Sequence, residues 1–226
     1  ANEGNEELAD YYDRRQHIQK IFLNSLYGVL GLPVFRFFDI DNALAVTAVG
    51  QDVIKNSEIF VNDLFEELGA QPRSSEEVIK HQKAFDQYGE KQISSEKDWC
   101  VYIDTDSLYF SSVPLKHKFK GDIQEDTIKL ARFIEGRLNS YYDHMSLDYF
   151  NCKDHKLHIK GEVIASSGIW IAKKRYAMLK TYDLEKNMAI EPKLGVKGLD
   201  IIRSTFPQYF KKYMRSFIVD VLKGLD

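Results

Sequence analysis

Trp99-Cys-Val-Tyr-Ile103 and Leu108-Tyr-Phe-Ser-Ser-Val113 are two short β-rich runs that flank the polar quartet Asp104-Thr105-Asp106-Ser107. Aromatic and β-branched residues at this density, interrupted by an Asp-rich turn, are the pattern of a β-hairpin with an acidic tip. Two carboxylates on one tight turn repel each other, a cost relieved by a bound cation or by full solvation. Hard oxygen donors so close together suit magnesium. An Asp-rich turn held by side-chain to backbone bonds is the structural alternative. The apolar flanks set the tip on a rigid sheet rather than on a loose loop.

Working upstream, the polar segment from Ala70 to Asp98 holds a short helical stretch, Glu76 to Tyr88, without an apolar stripe broad enough for a core, and reads as a surface insertion. Before it, Asp39 and Asp41 are candidate N-caps for a helix that runs to Leu68, is closed by Gly69, and buries Val53, Ile54, Phe60, Val61, Leu64 and Phe65. An extended aromatic stretch, Val34 to Phe38, precedes that helix. The first helix spans Glu7 to Leu30 with Ile18, Phe22, Ser25, Leu26 and Val29 on one side, and ends at Gly31 and Pro33. Downstream, a helix is expected over Asp122 to Phe150 and strands over Lys156–Ala165, Ile169–Ala172, Tyr176–Tyr182 and Ala189–Val196, the last two joined by the turn Asp183–Asn187. A final helix begins near Ser204, with Pro207 in its first turn, and reaches Leu222. This order predicts an α+β fold with an antiparallel sheet and helices on one face.

At 226 residues and 44% hydrophobic content the chain is long enough to bury a core. No apolar run reaches the roughly 18 residues of a membrane span, and the acidic start Ala1 to Asp10 is not a signal sequence, so a cytosolic location is expected, host cytoplasm if the source is viral. Cys100 and Cys152 are too few for a disulfide framework and read as packed thiols. None of the six histidines has a partner at zinc-ligand spacing. The net charge of −3 hides an asymmetry: Lys153 to Arg215 holds 14 Lys and Arg against 6 Asp and Glu, so it carries +8 and the remainder −11. Such a segment suits a phosphate backbone, although an acidic region paired with a basic one needs no ligand.

On the first helix, Lys20, Asn24 and Tyr27 fall within about 60° of one another and opposite Phe22 and Leu26, so a cation, an amide and a phenol share the solvent side with Gly28. An ordinary polar face is the plain alternative.

Lys20-Ile-Phe-Leu-Asn24-Ser25-Leu-Tyr27-Gly28 resembles the KxxxNSxYG signature of family B DNA polymerases, and Tyr102-Ile-Asp104-Thr105-Asp106-Ser107 resembles their YxDTDS signature. Lys173-Lys174-Arg175-Tyr176 is similar to the family's KKRY element, with Lys160-Gly161-Glu162 before it and Lys197-Gly198 and Arg203-Ser204 after it. The resemblance extends over nearly the whole chain and leaves about 70–98 unaccounted for. It implies a palm sheet with packed helices and a projecting fingers helix pair: part of the fingers and the return into the palm over 1–50, palm over 51–200, and the start of the thumb over 201–226.

The resemblance also implies roles. Lys20 would reach the triphosphate of an incoming deoxynucleotide, Asn24 would order that helix end, Tyr27 would lie under the nascent base pair, and Gly28 would let backbone approach it. Asp106 would bridge two magnesium ions, with manganese as a substitute, Glu162 would act near them through water, and Asp104, a weaker candidate for a direct ligand, would orient the turn or a water. Lys174 would lie near the primer terminus. Lys173 and Arg175 would meet phosphates or acidic residues, Tyr176 would pack within its strand, and Lys197, Gly198 and Arg203 would hold the primer backbone. The implied partners are primer-template DNA, deoxynucleoside triphosphate and the remaining polymerase segments, in cis or in trans: exonuclease, upstream palm strand and thumb. The family's DxxSLYP element, source of its second carboxylate, has no counterpart in this sequence; Asp143-His-Met-Ser-Leu147-Asp-Tyr149 reads as helix and lacks the proline. An incomplete polymerase fragment, inactive alone, is therefore expected. A non-catalytic nucleic-acid-binding module would need only the basic strands, and a metal-dependent nuclease only the acidic tip.

Overall fold

The computed structural model describes residues 3–72 and 97–224, so the helical stretch expected over Glu76–Tyr88 lies outside the described residues. Helices α1 (Glu3–Leu30) and α2 (Ile40–Glu67) are followed by strands β1 (Cys100–Asp104) and β2 (Ser107–Phe110), a 3-10 turn at Val113–Lys118, and helix α3 (Ile123–Asp148). Strands β3 (Val163–Ala172), β4 (Arg175–Asp183) and β5 (Met188–Lys197), a 3-10 turn at Asp200–Ile202, and helix α4 (Gln208–Leu222) complete an α+β fold. The chain divides into two compact units, Ala1–Lys55 and Asn56–Asp226. No described helix is long and apolar enough to cross a membrane.

In the first unit, the apolar side expected of α1 is not buried: Ile18, Phe22 and Leu26 are 65%, 68% and 53% exposed. Near the end of α1, Asp39 N–H closes on the Leu30 carbonyl at 2.9 Å and the Tyr27 hydroxyl meets Thr47 of α2 at 2.7 Å. Val34 to Phe38 is not extended either. Pro33 starts successive turns, Phe35 N–H to Leu32 O at 2.9 Å and Phe38 N–H to Phe35 O at 3.0 Å, as its fixed φ favours. Asp39 caps α2 as expected, accepting from Asn42 N–H at 3.0 Å.

In the second unit, the later part of α2 buries Val61, Leu64 and Phe65, with the Phe65 ring against Trp99 and Phe110. Asn62 fixes the start of the hairpin by accepting from Trp99 N–H at 2.9 Å. Gly69, at φ +68°, ends α2: its N–H reaches Glu66 O at 2.8 Å and Ala70 N–H reaches Phe65 O at 2.9 Å. That bond pair is a Schellman close, which needs the left-handed conformation glycine adopts cheaply. Cys100 is buried, whereas Cys152 is exposed and not the packed thiol expected of it.

Instead of one sheet there are two, β1–β2 and β3–β4–β5, all antiparallel. Aromatic side chains rather than ladder bonds join them: Tyr102 and Tyr109 of the hairpin pack on Tyr176 at 5.8 and 5.6 Å between centroids, and Tyr109 also meets Trp170. On the opposite side of β4, Ala177 and Leu179 bury Leu222 of α4, with Leu194, Val196 and Ile218 around them. Helix α4 starts after Pro207 rather than at Ser204, with Pro207 as its N-cap.

The runs expected as Lys156–Ala165 and Ile169–Ala172 are one strand that begins only at Val163. Residues before it are held on α3 instead, by side chains four apart on one helix face. Asp143 pairs His155 at 2.9 Å, the Asn139 amide both donates to and accepts from the Ile159 backbone at 2.9 Å, and Glu135 accepts from Gly161 N–H at 3.1 Å. Asn139→Ala would leave both polar groups of Ile159 without those partners and is expected to cost about 1–3 kcal/mol, read as a fall in the urea midpoint with unchanged slope.

Candidate functional site

The acidic tip is tighter than the sequence pattern suggested. Asp104 pairs Ser107 in the ladder, so the turn is only Thr105–Asp106, and Asp104 belongs to β1. Asp106 N–H bonds back to Asp104 O at 2.6 Å across Thr105, whose φ is +55°. A γ-turn with positive φ on a β-branched residue is strained, and such strain persists where surrounding structure enforces it. Aromatic packing beneath the hairpin supplies that enforcement.

The two aspartates therefore differ in environment. Asp104 is 8% exposed and lies 3.8 Å from the Lys174 ammonium and 3.6 Å from that of Lys197. Its charge is matched by two cations, and Thr105 Oγ1 donates to it at 3.2 Å. Asp106 is exposed at the apex, with the Ser107 hydroxyl donating at 3.3 Å. One carboxylate is taken by lysines and the other is open to a ligand.

Lys173 and Lys174 form the two-residue turn between β3 and β4, with Ala172 paired to Arg175 and Lys174 at φ +58°. The Lys174 N–H donates to the Tyr102 hydroxyl at 2.6 Å. Lys197, 5.8 Å above the Tyr176 ring, is held above the usual lysine pKa, by the Tyr176 phenol first and then by Asp104. Tyr176 is buried, and its hydroxyl meets that of Tyr109 at 2.9 Å. Burial, and then this bond, push the Tyr109 pKa well above the ordinary phenol value, with the Glu162 charge adding to the rise. Arg175 and Arg203 converge on Asp200, at 3.4 and 3.2 Å. Gly198, at φ +68°, lies under the Lys174 carbonyl.

The hairpin, the β3–β4 turn and the end of β5 thus gather Asp104, Lys174 and Lys197, with Tyr176 beneath them and Arg175 and Arg203 on Asp200. Lys173 is exposed at the turn. Glu162 is exposed just before β3 and lines a cleft of about 300 Å³ with Lys180 and Lys193. Among the described residues no three His, Cys, Asp or Glu side chains converge as a metal site. Asp106 fits one oxygen ligand of a magnesium ion, whereas Asp104 with its two ammoniums does not.

Lys20, Asn24, Tyr27 and Gly28 belong to the first unit and are all exposed on α1. The Tyr27 hydroxyl is engaged, 2.7 Å from Thr47 Oγ1 and 3.4 Å from Ala43 O. Sequence reasoning missed Thr47, since only the return of α2 beside α1 reveals it. Tyr102 stands within a motif, but its spacing from Lys174 in the chain gave it no role.

The family model for DNA polymerase family B matches residues 1–226. The chain is 30% identical over 220 residues to the DNA-directed DNA polymerase of Escherichia phage RB69, covering 91% of this chain and 22% of that protein. It is 26% identical to the DNA-directed DNA polymerase of Enterobacteria phage T4, covering 96% of this chain and 23% of that one. A DNA polymerase of Choristoneura biennis entomopoxvirus is 27% identical, covering 98% and 22%. The chain therefore spans about a fifth of the length of these relatives, and with a family model matched from end to end it belongs to DNA polymerase family B.

Proposed function

We propose that this chain supplies the catalytic hairpin, the primer-end lysines and one nucleotide-binding helix to template-directed addition of deoxynucleotides at a primer 3′ end. The observation that carries the reading is the division of labour in one strained hairpin: Asp106 is exposed at its apex while Asp104 holds Lys174 and Lys197 beside it. In family terms, the first unit is the fingers portion, the two sheets with α3 are palm, and α4 opens the thumb.

Two magnesium ions, when bound, would activate the primer 3′-oxygen and neutralise the leaving pyrophosphate. Asp106 would hold them in part, with Glu162 acting through water. Among the described residues no three such side chains converge, and the sequence has no counterpart of the family's second carboxylate element, so we infer that another carboxylate-bearing segment completes the site. Lys174 and Lys197 would present cations to the primer end, and Lys173, Arg175 and Arg203 would extend that positive surface along the backbone. Tyr176 supports this surface from beneath. On α1, Lys20 would meet the triphosphate, and Tyr27, steadied by Thr47, would lie under the new base pair with Asn24 and Gly28 alongside.

The test is magnesium-dependent primer extension in the complete polymerase, meaning this chain with the exonuclease, upstream palm and thumb segments in cis or in trans. Lys20→Ala is expected to raise the KM for deoxynucleotide about tenfold or more, with primer-template affinity unchanged. An unchanged nucleotide KM, together with magnesium-dependent DNA cleavage that persists when the exonuclease segment is left out and is lost in Asp106→Asn, would instead identify a nuclease.

A further inference from the structure

We propose that Tyr102 is a positioning residue for Lys174, and that the spacing of Tyr102 and Asp104 in β1 serves the lysine turn. The inference rests on the reading of Lys174 as a primer-end cation. Residues two apart on a strand point to the same side. From that side of β1 the Tyr102 hydroxyl accepts the Lys174 N–H at 2.6 Å, and the Asp104 carboxylate faces the Lys174 ammonium at 3.8 Å. One strand thus holds a single lysine by its backbone and by its side-chain charge.

The third side of that lysine is closed by Gly198, just after β5. A Cβ on Gly198 would stand 1.8 Å from the Lys174 carbonyl oxygen, so the peptide rests directly on the Gly198 backbone. Lys174 needs such a clamp, because at φ +58° a lysine is in a conformation that side chains other than glycine adopt at a cost. The Tyr102 ring is itself fixed against Tyr109 and Tyr176, so its hydroxyl is a rigid acceptor. A displacement of the acidic hairpin is passed to Lys174 through two bonds, which couples the carboxylate tip to the grip on the primer end.

The experiment uses Tyr102→Phe, which keeps the ring and removes the hydroxyl that accepts from Lys174 N–H. In the complete polymerase, amide hydrogen exchange at Lys174 is expected to accelerate about tenfold, and the KM for primer-template to rise by a similar factor. kcat and the KM for deoxynucleotide are expected to stay within about twofold. In a Lys174→Met background, Tyr102→Phe should add no further rise. Unchanged exchange at Lys174 overturns the proposal, and so does a rise in primer-template KM that adds in full to that of Lys174→Met. Accelerated exchange, with primer-template KM unmoved in Lys174→Met as well, supports the clamp and overturns the primer-end reading of Lys174.

Discussion

Asp106→Asn is expected to reduce single-turnover primer extension in the complete polymerase by about a thousandfold or more, while primer-template affinity changes by less than about threefold. Asn keeps the size of the side chain and its bond from Ser107 but removes the charge that a magnesium ion requires. A thousandfold corresponds to about 4 kcal/mol of transition-state stabilisation, within what a charge acting on phosphoryl chemistry supplies. Asp104→Asn provides the contrast. It removes the counter-charge shared by Lys174 and Lys197, so the two ammoniums repel each other and lose their common anchor. Its expected signature is a higher KM for primer-template and a smaller loss in kcat. A reversed order, with Asp104→Asn the greater loss in single-turnover rate, would assign the ligand role to Asp104 and sink the division of labour between the two aspartates.

That contrast marks how far the sequence could be read. Trp99 to Phe110 announced a hairpin because aromatic and β-branched residues flank an Asp-rich turn, but the turn length was not legible. Whether Asp104 belongs to the strand or to the tip depends on the strained Thr105, which cheap turn chemistry would not select. Gly69 was legible as a helix stop because left-handed backbone at a helix end favours glycine on local grounds alone. Lys156 to Gly161 misled for the opposite reason. The segment has a strand's composition, but its hydrogen-bonding partners are Asn139 and Glu135 of α3, some 20 residues or more away. The apolar side of α1 obeys helical periodicity yet stays exposed, since periodicity records a surface suited to burial and not what covers it. The candidate residues could be named one by one from their motifs. The contacts that assemble it were not, because Tyr102 to Lys174 and Gly198 to Lys174 join elements far apart in the chain.

Gly198 offers the sharpest test of that assembly, and Gly198→Ala is expected to destabilise the chain by about 3 kcal/mol or more and to weaken primer-template binding at the same time. Two costs add. At φ +68° any L side chain pays about 1–2 kcal/mol for the left-handed conformation. The larger cost is steric: the new Cβ would stand 1.8 Å from Lys174 O, a backbone atom that cannot rotate away as a side-chain tip would. Relief requires the β3–β4 turn to lift, which stretches the Lys174 bond to Tyr102 and moves the ammonium from Asp104. Stability and primer affinity should therefore fall together, whereas a purely local defect would lower stability alone. Gly136→Ala is the control: it lies within α3 with nothing within 4 Å of an added Cβ, and by helix propensity it should stabilise by up to about 1 kcal/mol. Urea midpoints of the two variants, with primer-template affinity measured on the same samples, separate the cases. A Gly198→Ala midpoint equal to that of the parent would mean that the turn relaxes without strain, and the account of Lys174 as a clamped residue would fall with it.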